Sequence, residues 1–361
     1  MRELHWAAGL AAQNLKEGLN MKIVPVEKAV GQVLGQDLTK IVPGKYKGAP
    51  FRKGRIILEE DIPQLLEMGK HKIYVYELDK DELHENDAAL ALAEEIIGEG
   101  TVCGEAKTGR VDIFAGRNGL LKIDVEGLSG VNSIPEMVVA TIHNNSVVAK
   151  GDLIGAAKIV PLTIKKTKIE EMKSLIEKNG PVITVKTLNP LAIAIIVTGN
   201  EVYSGKVRDG FAPVIESKIK TYGCEVISTT YLPDDKQMIT GAIKKARDAG
   251  AQLVVVTGGM AVDPDDVTPA AILAAGGRLV TYGSPVMPGA MFMLAYLDDL
   301  PIMGLPGSVM YYKTTIFDLV LPRLLAGERV EAWDITALGH GGLCYTCPDC
   351  TYPRCHFGKS R

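Results

Sequence analysis

Residues 191–201 read LAIAIIVTGNE. Leu191 to Val197 is short, uncharged and rich in β-branched residues, and it ends at once in a polar, glycine-containing loop, Thr198-Gly199-Asn200-Glu201. A run of this length bounded by turn residues reads as a strand buried on both faces. The residues after it repeat the logic. Phe211, Ile215, Ile219 and Tyr222 keep one helical face, Glu225 to Tyr231 is a second strand, and Met238, Ile239, Ala242, Ile243 and Ala246 form another apolar stripe. Gln252 to Val256 is a third, nearly continuous β-branched strand. Strands alternating with amphipathic helices predict an α/β domain with a mostly parallel sheet. A last long helix is expected from Val309 to Leu325.

Upstream the pattern differs. Residues 1–20 form a weak helical prelude, and Met21, which opens the more strongly patterned stretch, is a candidate biological start. From 21 to 78 short strands and one helix, marked by Ile62, Leu65, Leu66 and Gly69, predict a small α+β unit. Residues 79–180 read as a β-rich middle domain plus a linker helix, Lys165 to Lys178, stopped by Asn179-Gly180-Pro181. Within it Val111 to Ala115 and Leu120 to Val125 flank Arg117-Asn118-Gly119, which predicts a hairpin.

With 361 residues, 47% of them hydrophobic, the chain is long enough for more than one core. Its 40 basic and 43 acidic residues give a net charge of -3, which argues against a nucleic-acid or anionic-membrane partner. No apolar run approaches the ~18 residues of a membrane span, and the amino terminus lacks a secretory h-region, so a cytoplasmic protein is expected.

In an open α/β sheet, ligands bind beyond the carboxyl ends of the strands. Three loops fall there: Thr198-Gly199-Asn200-Glu201, Leu232-Pro233-Asp234-Asp235, and the stretch from Thr257-Gly258-Gly259 to Asp266-Val267-Thr268-Pro269. Gly304-Leu305-Pro306-Gly307-Ser308 precedes the final helix. Gly258-Gly259 and Gly307-Ser308 could cradle a phosphate with backbone N–H groups. Glu201, Asp234 and Asp266 suit Mg²⁺, which takes few carboxylates together with phosphate oxygens and water. Plainer readings stand beside these: a simple Gly-Gly turn, Asp266 with Thr268 as a cap of the helix at Pro269, Asp234-Asp235 as the N-cap and first-turn acid of the next helix, and Glu201 as a solvated loop acid.

The carboxy-terminal segment, 338–361, carries Cys344, Cys347, Cys350 and Cys355 within twelve residues, with His356 adjacent. Four soft ligands this close suggest Zn²⁺ or an iron–sulfur cluster. A tail of reduced thiols tethered by Gly339 to Gly342 is the alternative.

Taken together, Thr198-Gly199-Asn200-Glu201, Pro233-Asp234, Thr257-Gly258-Gly259 with Asp266-Val267-Thr268-Pro269, Pro288-Gly289 and Gly304-Leu305-Pro306-Gly307-Ser308 resemble the molybdopterin-binding domain family over about residues 190–330. Residues 21–78, notably Val26-Glu27-Lys28-Ala29-Val30-Gly31 and Phe51-Arg52-Lys53-Gly54, resemble the amino-terminal parts of molybdopterin molybdotransferases. The resemblance implies a three-layer α/β/α domain, here preceded by the smaller α+β and β-rich domains read from the residues. It implies molybdopterin or adenylylated molybdopterin as ligand, held against Thr198, Gly199, Asn200, Thr257, Gly258, Gly259, Pro288, Gly289, Pro306, Gly307 and Ser308. Asp266 and Glu201 match acids implicated in catalysis or Mg²⁺ binding, and Asp234 matches an acid of the adenylyltransferase branch. Mg-dependent insertion of molybdate in cofactor synthesis is the activity implied, in a homo-oligomer that could serve a client molybdoenzyme. The sequence departs from the transferase pattern: Met287-Pro288-Gly289-Ala290-Met291 has no lysine for a molybdate pocket, Pro264 and Asp265 replace a glycine-rich spacing, the cysteine segment stands in place of a carboxy-terminal β domain, and residues 79–164 do not resemble the usual lid domain. A non-catalytic carrier or redox-sensing accessory protein, and a nucleotide pyrophosphatase, are the competing expectations.

Overall fold

A computed structural model describes residues 21–42, 46–76, 78–261, 263 and 266–359. The expected helical prelude of residues 1–20 and the Pro264-Asp265 stretch lie outside the described residues.

Residues 21–76 form a small unit with its own core, in which Val26, Leu34, Phe51, Leu65 and Val75 are buried. Strand Lys72–Tyr76 lies between Met21–Pro25 and Val33–Leu34, and helix Asp61–Glu67 packs alongside. The middle domain holds a four-stranded and a three-stranded sheet around helices Glu85–Ile96, Val125–Ser133 and Lys166–Asn179.

Two expectations change here. Helix Lys166–Asn179 is not a linker, because Ile169, Met172 and Ile176 are buried in the core of this domain, and strand Ile183–Lys186 beyond it still pairs with Gly119–Ile123. The predicted hairpin does not form either. Arg110–Ala115 pairs with Leu153–Ile159 and Thr101–Cys103, whereas Gly119–Ile123 joins the other sheet. Asn118 Oδ1 accepts the Lys150 N–H at 2.8 Å, and the chain bends at 116–118 to pass from one sheet to the next.

Beyond residue 190 the predicted alternation holds. The strands are β1 (Ala192–Thr198), β2 (Glu225–Leu232), β3 (Leu253–Thr257), β4 (Arg278–Tyr282), β5 (Met293–Leu297) and β6 (Leu300–Leu305). Their order in one sheet is β2-β1-β3-β6-β5-β4, with parallel pairing except on either side of β5. Alternate residues of β1 point opposite ways. Ile193, Ile195 and Val197 pack with helices α1 (Phe211–Lys220) and α5 (Ile316–Leu325), while Ala194 and Ile196 pack with α2 (Lys236–Asp248) and α3 (Thr268–Ala274). This is the expected α/β/α sandwich, and period-two burial of an apolar strand on both faces is its cause.

The final long helix is broken. A single turn, α4 (Ser308–Tyr311), is followed by a non-helical stretch, and α5 restarts under a capping box in which Thr315 and Asp318 exchange side-chain and backbone bonds. The break leaves residues 312–315 non-helical, with Tyr311, Tyr312 and Lys313 exposed.

The middle domain meets the sandwich through Glu328, which binds Lys122 at 2.7 Å and Arg323 at 2.8 Å. Burial opposes its ionisation, but the hydrogen bonds from Lys122 and Arg323 win and hold its pKa down at about 2. Among the described residues no helix is long and apolar enough to cross a membrane.

Candidate functional site at the carboxyl edge of the sheet

Connections from β1 run to β2 on one side and from β2 back across to β3 on the other, so the chain reverses direction between the neighbours β1 and β3. The crevice at that reversal is where open α/β sheets bind ligands. Thr198, Leu232, Thr257 and Leu305 end the four parallel strands there, with Thr198 opposite Leu232 and Thr257 opposite Val197 and Leu305.

Backbone contact forces the sequence of the β3 loop. Gly258 has φ +91°, and any Cβ placed on it would strike the carbonyl oxygen of Thr198. Only glycine fits both demands. Gly259 has φ +54°, and a Cβ there would lie 2.9 Å from Thr268 Oγ1 and 3.5 Å from Asp234 Oδ1. Loops after three different strands therefore meet at one point.

Side chains then stitch them together. Buried Thr268 donates its hydroxyl to the Gly258 carbonyl at 2.9 Å and sits 3.3 Å from Thr198 Oγ1. Asp234 Oδ2 accepts the Asn200 N–H at 3.0 Å, and Asn200 Oδ1 accepts the Asp234 N–H at 3.3 Å. The neighbouring acid, Asp235, is the N-cap of α2 and accepts from Met238 N–H at 2.8 Å. Capping is thus done by Asp235, which leaves Asp234 to the crevice.

Three buried side-chain oxygens at this edge have no hydrogen-bond partner: Asp234 Oδ1, Thr257 Oγ1 and Ser308 Oγ. Each follows or ends a parallel strand, namely β2, β3 and β6. Unpaired buried polar atoms cost roughly 1–3 kcal/mol each, so three at one edge make this edge the candidate ligand site.

The other predicted residues occupy loops of the same domain. Gly199 has φ +141°, and the exposed Glu201 folds its carboxylate back over it, 3.4 Å from where a Cβ would stand. Asp266 does not cap α3, whose N-cap is Val267. Its Oδ2 instead accepts the Asp263 N–H at 2.8 Å and braces the loop beyond Met260. Tyr282 hydroxyl closes the same loop by donating to the Met260 and Ala261 carbonyls, and burial followed by the Asp266 charge raises its pKa. Gly289 packs on Ile316, at the start of α5, where a Cβ would collide, and its carbonyl accepts from Ser284 Oγ. Pro306 is buried beside Gly307, which has φ -53° and nothing within 4 Å of a would-be Cβ. Thr268, read from the sequence only as a cap and motif residue, and Tyr282, which sequence reasoning misses, both shape the candidate site. Thr268 sits in the Asp266-Val267-Thr268-Pro269 motif, but no local signal marks Tyr282.

The cysteine segment docks on the far part of the same edge. Leu343 bridges to Met287, with Met287 N–H donating to Gly342 O and Cys344 N–H to Met287 O, both at 2.8 Å. Gly341 and Gly342 are close-packed, since a Cβ on either would meet backbone carbonyls, so the expected tether is a seated turn. Phe357 is buried in the core of the sandwich. Tyr352 hydroxyl donates to the Asp318 carbonyl at 3.3 Å, and burial foremost pushes its pKa up. Cys350 Sγ lies 3.5 Å from Thr314 Oγ1, a contact that lowers the thiol's pKa together with a backbone bond at Tyr352. Among the described residues no three His, Cys, Asp or Glu side chains are grouped closely enough to hold one metal ion.

Comparison with known proteins decides the type of this domain: residues 194–326 match the family described as "Probable molybdopterin binding domain". The sandwich is of the molybdopterin-binding type. Residues 23–77 match a domain of unknown function. The molybdopterin molybdenumtransferase of Haemophilus influenzae is 27% identical over 156 residues, covering 41% of this chain and 38% of that protein. A CinA-like protein of Amoebophilus asiaticus is 33% identical over 78 residues, 22% of this chain and 19% of its own length. The chain thus spans well under half the length of these curated relatives. Among solved structures, the molybdopterin biosynthesis enzyme MoaB of Thermus thermophilus is 20% identical with a TM-score of 0.32, covering 38% of this chain and 98% of that one.

Proposed function

We propose that the molybdopterin-binding domain receives molybdopterin or adenylylated molybdopterin in the crevice between β1 and β3 and acts in molybdenum cofactor synthesis as a molybdotransferase-like enzyme. The observation that carries this reading is the trio of unpartnered buried oxygens, Asp234 Oδ1, Thr257 Oγ1 and Ser308 Oγ. The hydroxyls of Thr257 and Ser308 can donate to phosphate oxygens, and Asp234 can accept from a pterin N–H or a ribose hydroxyl. Gly258 and Gly259 let such a ligand approach the backbone without steric obstruction.

A hard divalent cation fits the donor set of carboxylate and ligand phosphate oxygens, with Asp266 and Glu201 as the residues to hold it. When bound, Mg²⁺ would neutralise charge building on the pyrophosphate as AMP leaves. Asp266, fixed to the Asp263 N–H, keeps its carboxylate oriented at the loop. Assembly into a homo-oligomer and delivery to a client molybdoenzyme belong to the same proposal.

Asp266→Ala is expected to lower turnover by on the order of 10²-fold or more while pterin affinity changes little. The measurement is AMP release and molybdenum insertion with adenylylated molybdopterin. Undiminished turnover in the variant removes Asp266 from the mechanism. The lysine-free Met287–Met291 loop favours a second reading, a carrier. Binding without AMP release by the unaltered chain would decide for it.

A further inference from the structure

The pterin reading leaves the four clustered thiols unused. We propose that Cys344, Cys347, Cys350 and Cys355 bind one [4Fe–4S] cluster. All four are free thiols, and all four line a single cavity of about 320 Å³. Tyr311, at the end of α4, and the residues 312–314 of the break between α4 and α5 line the same cavity.

The number and spacing of the thiols point to the ligand. Zinc bound at ~2.3 Å from each sulfur would draw four thiolates to within roughly 4 Å of one another. The thiols stand around an open volume. A cluster fills the middle with its own iron and sulfide and keeps its thiolate ligands farther apart. Spacing agrees, since C-x2-C-x2-C presents three soft ligands in one turn-rich segment and Cys355 closes the ring. His356 is occupied elsewhere: its Nε2 bonds the Leu343 carbonyl at 2.8 Å and its ring lies 4.3 Å from that of Tyr345. This leaves a ligand set of thiols alone. Lys313, which lines the same cavity, offers a cation to the anionic cluster.

The scaffold is in place before loading. Phe357 is buried, and the backbone around Cys344 is pinned to Met287, so binding needs only closure of the exposed Cys347 and Cys350 onto the partly buried Cys344 and Cys355. Loading releases thiol protons as the ligands become thiolates. This inference stands independently of what occupies the β1–β3 crevice.

The test is anaerobic incubation of the full chain with ferrous and ferric iron in equal amounts and sulfide, which together supply the oxidation level of a [4Fe–4S]²⁺ cluster, followed by iron, sulfide and zinc analysis and absorption spectroscopy. Uptake of about four irons and four sulfides per chain, with a broad charge-transfer absorption that bleaches on reduction, is expected. C347S/C350S alters two exposed side chains and should lose the iron, with the thermal unfolding of the metal-free chain unchanged; C103S should keep it. One tightly held zinc per chain that excludes iron, no iron uptake at all, or equal uptake by C347S/C350S would each overturn the proposal.

Discussion

The crevice between β1 and β3 and the cysteine segment occupy one edge of the same sheet, yet they are built by opposite means. Backbone geometry makes the crevice: carbonyls, positive-φ glycines and reciprocal Asn200–Asp234 bonds hold three loops in contact. Among the described residues the cysteine segment contains no strand or helix of more than three residues beyond Thr336, and a few anchors hold it, chiefly Phe357, Tyr352 and the turn against Met287. A site formed by regular elements is rigid before its ligand arrives. One hung on side-chain anchors opens locally at lower cost.

Two glycines probe the crevice most severely. Gly258→Ala places a methyl against the Thr198 carbonyl at φ +91° and should destabilise the chain by about 2–4 kcal/mol, read as a fall in the midpoint of chemical unfolding. Gly307→Ala, with φ -53° and empty space around it, should stay within about 0.5 kcal/mol of the parent. Equal effects at both positions would mean that the crevice is not held by close backbone approach.

Acid tests the junction that carries both regions. The Glu328 pKa falls from its ordinary 4.5 to about 2 on folding, so the group adds stability above pH 4.5, and that contribution drains away as pH drops from there toward 2. Glu328→Gln should cost on the order of 1–3 kcal/mol at neutral pH, because Lys122 and Arg323 lose a charged acceptor. The variant should also flatten the stability profile between pH 4.5 and 2. A profile as steep as the parent's would assign acid sensitivity to other carboxylates.

Legibility in the sequence divides along the same line. The strand and helix alternation from 191 onward is readable because apolar runs and 3.6-residue stripes are local, and the glycines of the β3 loop sit at a strand end where their use is constrained. The roles of Asp234 and Asp235 are not separable by spacing, since both precede α2 and only the contact with Asn200 distinguishes them. The Asn118-Gly119 pair fails as a hairpin signal because each flanking strand finds a better partner more than twenty residues away. The break at residues 312–315 is written in Thr315 and Asp318, a capping pair inside an apolar pattern that reads as one helix. Docking of the cysteine segment has no local signal, because it depends on what a proline in that helix leaves unpaired.

That proline is Pro322, inside α5. It has no N–H, so the carbonyl of Asp318, four residues earlier, lacks its helical donor. Tyr352 from the cysteine segment supplies one at 3.3 Å. Tyr352→Phe should therefore cost about 1 kcal/mol, a small change in global stability but a specific one. If the bond holds the segment down, its loss favours local opening, and the partly buried Cys344 and Cys355 should react with a thiol reagent roughly fivefold faster. Pro322→Ala restores a donor to Asp318 from within α5. In that background, Tyr352→Phe should have less effect on unfolding, because the carbonyl no longer depends on the phenol. An unchanged cost in the double variant would show that Tyr352 acts through packing against Phe357, whose ring lies 6.4 Å away, rather than through the freed carbonyl.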